Sequence, residues 1–557
     1  MALAETVYRK INKLGIIPKL IHLLPKLSFI FAALSVAWLC YLPLDGNYRN
    51  VYISENALMP AQVTSYFRES EWNVVRGYRE EFGKLENLSL NERNSMVESW
   101  LKDLNLQVSY HNNQTLYSIM HAPRGENTEA MALVVPWFNS DKEYNEGALS
   151  LALALIRYFN KMSIWSKNII LIFPENSGKV LRSWVEAYHT TLDETAGSIE
   201  AAIIMEYGKQ GDYFNYYQMF YEGLNGQLPN LDLLNTANLI SSHEGISKSI
   251  QGYKDNLMNF NTRLNTLFKG ILKLSLTGLT NDLYGCEAFS GWQIQAFTIK
   301  AVGSAGHDVT QFGRIVDSTF RSVNNLLEKF HQSFFFYLML SPKNFVSIGT
   351  YLPSAVLLAV SFALSSLSSI LNNIKVEMIF DNLTFFLNII AFVEIGCLII
   401  AFTLPNTQFF EIGMSLLGVI SLLPNFEFKN NQFSFALISI SLFFISLLIT
   451  ALLIVHFSLA FIIGLLGFPL TFIPTLLKQR KVKIAKLISI ISNPFFIIYI
   501  GSRYLEHPEI YSKLLTSWND LQCWTWFIVM LGWFPSWILI TISIIGYKEV
   551  DEIKKDI

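Results

Sequence analysis

The sequence predicts a multi-pass α-helical membrane protein that carries one large α/β domain with a mostly parallel sheet, placed between its first membrane helix and a later cluster of them. Three observations predict this. Over 557 residues the composition is 51% hydrophobic and only 15% charged, with a mean hydropathy of +0.32, too apolar for a soluble chain of this length. The average is uneven: from Asp45 to about Asn344 charge is spread as in a globular domain, whereas the flanks hold long runs almost without it. Within the mixed region, β-rich apolar runs alternate with helical patterns. A formal net charge of −2 gives no reason to expect a nucleic-acid partner.

Residues 1–26 carry Arg9, Lys10, Lys13, Lys19 and Lys26, and the first apolar run, Leu27 to Leu42, is followed by Asp45. Positive charge before a span and acid after it predict a cytoplasmic N-terminus and a first transmembrane helix over 27–44. The run ends AWLCYLPLD, without a small-residue cleavage pattern, and reads as a retained anchor. Residues 45–344 then form the domain. Beyond it, each bilayer crossing of roughly 30 Å takes about 20 apolar residues. Candidate runs are Val346 to Leu371, Thr384 to Leu404, Phe409 to Leu423, Phe433 to Leu477, Leu487 to Gly501 and Trp524 to Tyr547. The fourth is too long for one crossing and divides near His456, which predicts seven further helices over 345–547.

Eight helices in all would return the C-terminus to the cytoplasm. That parity puts the basic loop Lys478, Arg480, Lys481, Lys483, Lys486 on the positive-inside face. It also exposes the tail 548–557, ending KKDI, to the cytoplasm, where Lys554 and Lys555 match the dilysine pattern for retrieval to the endoplasmic reticulum. The domain is then lumenal, and the sequons at Asn87 and Asn113 are expected to be glycosylated, while that at Asn382 falls in a cytoplasmic loop. Glu394, in the middle of FVEIGCLII, requires a neighbouring helix or a polar lipid group, because an ionised carboxylate is costly in hydrocarbon.

In the domain, strands are predicted over Ala132 to Trp137, Asn168 to Pro174, Ile199 to Gly208, Tyr213 to Tyr221 and Trp292 to Val302. Helices are predicted over Asn145 to Lys161, Val180 to Thr190, Leu257 to Leu279 and Ile315 to Phe336. Ligands of such folds gather at the carboxyl ends of the strands. The polar residues there are Asn139, Asp141, Glu175, Glu206, and Gly306-His307-Asp308. Their order resembles that of di-zinc aminopeptidases and glutaminyl cyclases, with departures. Trp137-Phe138-Asn139 stands where H-x-D is required, Glu146 or Asn145 takes the bridging Asp position, and Glu175 is one of two expected glutamates. Glu206 takes the second Asp position and His307 the late histidine. This set cannot complete two shells of three or four donors. It leaves a degenerate site, either hydrogen-bonded remnants or one weakly held divalent ion on Glu175, Glu206 and His307.

Of four cysteines, Cys40, Cys286, Cys397 and Cys523, only Cys286 lies in the domain, which excludes an internal disulfide framework there. Its plainer reading is a buried thiol, the other a bridge to a partner. No nucleophile elbow or phosphate-binding glycine loop occurs after a strand.

Five segments carry a resemblance to a known family. They are Leu42 to Phe67, Ser183 to Ala202, Gly223 to Asn235, Glu287 to Gln295 and Asn324 to Ala355. In order and spacing they resemble the anchor-attachment subunit of glycosylphosphatidylinositol (GPI) transamidase, the GAA type, in its fungal form. The resemblance implies a subunit, in the endoplasmic reticulum membrane, of the complex that joins a GPI lipid to the new C-terminus of a precursor protein. The cysteine nucleophile of that reaction belongs to a separate, caspase-like subunit, so this chain is expected to be non-catalytic, with no cofactor, and to position the lipid. Glu394, Trp524, Trp526 and Trp533 are its candidate lipid contacts. The alternative is a metalloenzyme whose lumenal domain forms the new amide bond. A transporter would show broken-helix repeats, and none occurs.

Overall fold

The computed structural model describes residues 16–255, 259–406, 413, 428 and 430–548. Arg9, Lys10, Lys13, nearly all of the run Phe409 to Leu423, and Lys554 and Lys555 lie outside the described residues. The chain separates into two compact units, one over Leu42–Ile348 and the other from the described parts of residues 1–41 and 349–557.

The first unit is an α/β domain. Its strands are β1 (Arg49–Asn50), β2 (Gln107–His111), β3 (Thr115–Met120), β4 (Glu129–Val134), β5 (Asn168–Phe173), β6 (Ser198–Glu206), β7 (Tyr213–Phe220), β8 (Lys248–Ile250), β9 (Tyr253–Lys254), β10 (Gln295–Asp308), β11 (Tyr337–Ser341) and β12 (Asn344–Ser347). Nine form one sheet in the order β2-β3-β5-β4-β6-β10-β7-β8-β9, and β1-β12-β11 form a small second one. The sheet is parallel across its centre, β5-β4-β6-β10. Outside it, β2, β3 and β7 add antiparallel. The expected parallel strands form the centre of a sheet that is mixed as a whole. The link from β6 to β7 is too short for a helical crossover, so β7 turns back and pairs with β10.

Strands β4 and β5 are buried almost throughout, which is why they read as unbroken apolar runs. Alternate side chains feed two cores. Met131, Leu133, Ile169, Leu171, Ile203 and Phe297 face one layer, whereas Ala130, Ala132, Val134, Ile170, Ile172 and Ile204 face the other. Helices Glu69–Leu85, Leu90–Asp103, Glu146–Asn160, Leu231–His243 and Val309–Asn324 contribute to the first, Lys179–Thr190 to the second. The helix expected over Ile315 to Phe336 begins and ends earlier, at Val309 and Asn324, because Asp308 caps it, its Oδ1 accepting from Thr310 N and Gln311 N at 2.8 and 3.0 Å.

In the second unit, six described stretches are long and apolar enough to cross a membrane: Ile21–Tyr41, Ile348–Asn373, Leu383–Thr403, Asn431–Val455, Phe457–Lys478 and Thr525–Ile545. A seventh candidate is the pair Val482–Ile491 and Pro494–Tyr504, bent by 55°. The long apolar stretch breaks at His456, whose Nδ1 accepts from Leu459 N. The single helix expected over Leu487 to Gly501 is also broken. Asn493, ahead of Pro494, accepts from Phe495 N and starts a new helix. Helix Ile348–Asn373 is the hub of the unit. Ser361 and Ser28 exchange hydroxyl-to-carbonyl hydrogen bonds at 2.8 Å, and Ser366 and Ser439 do the same. Ser369 donates to Phe435 O, and Ser446 donates back to Ala359 O. Small hydroxyl residues let these helices approach closely where lipid provides no hydrophobic drive.

Candidate functional site

At the carboxyl end of the central strands, Glu206 closes β6 with its side chain wholly buried. Its cross-strand partner in the parallel register is Lys300 of β10. The Glu206 carboxylate accepts from Ser140 N at 2.9 Å and from Ser140 Oγ at 2.6 Å, and Lys300 Nζ stands 3.8 Å away. The ammonium also donates to Ser140 Oγ at 3.1 Å and pairs with Asp141. Burial pushes the Glu206 carboxyl up to about 7, against the opposing pull of Lys300 and the Ser140 hydrogen bonds.

The neighbouring polar groups are committed to the backbone. Asn145 donates to Pro136 O and Met205 O and accepts from Tyr207 N, bracing the ends of β4 and β6. Asn139 Oδ1 accepts from Glu143 N and holds the following turn. Glu146 opens a helix and is half-buried, with its carboxyl raised by burial.

The expected metal set of Glu175, Glu206 and His307 is not brought together. Glu175 is half-buried in the bend after β5. Strand β10 runs on past the residue predicted to end it, through a bulge between Val302 and His307, and carries His307 away. Lys300 pairs with Gln218 and His307 with Phe214, four residues further along β7, a run of roughly 13 Å at about 3.3 Å per residue. His307 packs its ring against Phe214. Among the described residues no group of three or more His, Cys, Asp or Glu is placed to hold a metal ion. A divalent ion does not fit the residues present, since both Glu206 oxygens are taken and Lys300 already supplies the positive charge. Lys300 was read only as part of a strand; a lysine inside an otherwise apolar buried run was the signal for it.

Cys286 is buried and donates to Glu222 O at 3.7 Å, and burial pushes its thiol well up. That geometry fits the inert thiol and leaves no surface sulfur for a bridge. Asn87 and Asn113 are exposed, in the turn between two helices and in the β2–β3 hairpin.

In the membrane unit, Trp524 is 49% exposed and lines an open pocket of about 420 Å³ with Trp518, Phe527 and Gly532. Trp526 and Trp533 are buried instead. Trp526 donates from Nε1 to Ala401 O at 2.9 Å, and Trp533 packs against Gly467. Glu394 lies half-buried within Leu383–Thr403 and makes no hydrogen bond or ion pair among the described residues. Beside it, Leu383–Thr403 and Phe534–Ile545 border a cavity of about 650 Å³ lined by Phe385, Phe392, Gly396, Trp537 and Ile542, with Asn388 among its few polar groups.

The fold and these sites define a multi-pass membrane protein with a mixed α/β domain whose strand ends are occupied by its own ion-paired cluster. Over residues 112–541 the chain matches the family described as Gaa1-like, GPI transamidase component. It is 42% identical to the GPI transamidase component GAA1 of Saccharomyces cerevisiae, over 99% of this chain and 98% of that one. It is 28% identical to the component gaa1 of Schizosaccharomyces pombe, over 87% of each. The chain belongs to the Gaa1-like family of GPI transamidase components. Similar solved structures include the YXEP protein of Bacillus subtilis, a dinuclear metal-binding peptidase of the M20 family, 11% identical with a TM-score of 0.27 over 46% of this chain and 98% of that one. Another is the glutaminyl cyclase of Porphyromonas gingivalis, 9% identical with a TM-score of 0.25 over 47% and 96%.

Proposed function

We propose that this chain is a non-catalytic subunit of GPI transamidase that holds the GPI lipid in its helix bundle, for transfer to the C-terminus of a precursor protein. In this reading it resides in the endoplasmic reticulum membrane with both termini cytoplasmic and the α/β domain lumenal, and it works beside a caspase-like subunit that carries the nucleophile. Family membership supports the complex. The observation that carries the lipid role is the apolar cavity bordered by Leu383–Thr403 and Phe534–Ile545, the size of a small-ligand site. Glu394 and the Trp524 pocket supply polar and amphipathic groups on the same unit. The filled Glu206–Lys300 cluster speaks against metal-dependent amide formation.

Gly396 lines the cavity, and a Cβ added there meets no atom within 4 Å, so Gly396→Phe has an open start for a side chain that takes up the cavity's space. Its expected effect is a large loss of photo-crosslinking between a GPI probe and this chain in the intact complex, with subunit content unchanged. Crosslinks confined to the α/β domain would contradict the lipid role. Stoichiometric metal in the purified chain, with activity lost in Glu206→Ala, would favour catalysis by that domain.

A further inference from the structure

Between residues 478 and 486 the chain carries Lys478, Arg480, Lys481, Lys483 and Lys486, and no acidic residue occurs from Phe428 to Leu505. Lys478, Arg480, Lys481 and Lys483 are exposed, and none forms an ion pair among the described residues. The cations are not on a loose loop. Gln479 N, Arg480 N and Lys481 N donate to Thr475 O, Leu477 O and Leu476 O, and Arg480 takes a left-handed φ of 58°. The turn therefore concentrates the charge in one place.

The helix that follows, Val482–Ile491, is two-faced. Val482, Ala485 and Ser489 are buried, and Ser489 is fixed by Thr541 Oγ1 at 2.7 Å and by Trp537 Nε1, which donates to its carbonyl. On the other face Ile484, Leu487 and Ile491 are 46%, 56% and 53% exposed. Their i, i+3, i+7 spacing makes one apolar stripe of roughly 10 Å, running directly from the cationic turn.

We propose that the turn and the stripe form a site for an anionic phospholipid. Its phosphate meets Lys478, Arg480, Lys481 and Lys483, and an acyl chain lies along Ile484, Leu487 and Ile491. Charge complementarity selects the headgroup. The adjoining apolar stripe selects a lipid over an acidic peptide, because a water-soluble acidic segment leaves those three side chains uncovered. This site is separate from the cavity assigned to the GPI lipid and does not rest on that assignment.

The test uses the intact complex in nanodiscs of phosphatidylcholine with or without phosphatidylserine, the lipid retained on this chain being counted by native mass spectrometry. The wild type is expected to retain phosphatidylserine preferentially, and less so as salt rises. Each cation near an anionic surface is worth about fivefold, so Lys481→Gln with Lys483→Gln lowers the preference by on the order of tenfold or more. Leu487→Gln weakens retention while leaving the charge unchanged. Equal retention of the two lipids by the wild type overturns the proposal, and that arm needs no variant to fold. So does a charge-neutralised variant that keeps the preference, or one that sheds a protein subunit while its lipid is retained, which assigns the patch to an acidic partner segment.

Discussion

Lys300 and Glu206 are direct register partners on neighbouring parallel strands, and the burial of that carboxyl, stronger than the pull of the lysine, sets its pH behaviour. Glu206 holds its proton up to about pH 7 in the fold, against an ordinary value of 4.5. Between those values the folded chain binds a proton that the unfolded chain has released, so this contribution to stability is lost as pH rises. The melting-temperature advantage of wild type over Glu206→Gln should therefore shrink from about pH 5 to about pH 8; a gap that does not vary with pH would contradict the assignment. At about pH 8, where Glu206 is ionised, Lys300→Met leaves a buried carboxylate without its cation and should cost about 3 kcal/mol, read as a lowered melting temperature; at about pH 5, where the carboxyl keeps its proton, the loss should be smaller. In the sequence, Glu206 was legible as a polar group at a strand end. Its partner was not, because strand register is set by pairing across the sheet and not by local sequence, and β10 continues to Asp308, past the Val302 expected to end it.

At the scale of elements, the serine seam on Ile348–Asn373 carries the packing of the membrane unit. Ser366→Ala removes the hydroxyl that donates to Ser439 O, while Ser439 Oγ still reaches the Ser366 carbonyl, and should cost about 0.6 kcal/mol, whereas Ser366→Leu must also push apart two close helices and should cost about 1–3 kcal/mol more. Thermal unfolding in detergent would rank the two. In the α/β domain, Asp308→Ala removes two hydrogen bonds to the first turn of Val309–Asn324 and should cost about 1 kcal/mol. Long apolar runs were legible, as was the break at His456. The break at Asn493 is invisible to hydropathy, because it comes from the Asn side chain capping the helix that Pro494 starts. The helix expected to run on through 325–336 does not do so. There the chain leaves helix after Asn324, and Glu55 Oε1 accepts from His331 N and Gln332 N.

For the whole molecule, the two-unit division was legible from where charge starts and stops, but the count of spans rests partly on residues 409–423. Sidedness can be read independently of that count. With a lumenal domain, Asn87→Gln and Asn113→Gln should each remove one endoglycosidase-sensitive increment of mass on a gel, and Asn382→Gln none. A shift for Asn382 alone would invert the orientation. The pairing of Ser28 with Ser361 also sets a schedule for biogenesis, since the two residues lie 333 positions apart in the chain. At about 5–20 residues per second, a ribosome takes roughly 17 to 67 s to deliver the second after the first. Throughout that interval the anchoring helix is without this partner, and a serine so placed turns its hydroxyl to a carbonyl of its own preceding turn.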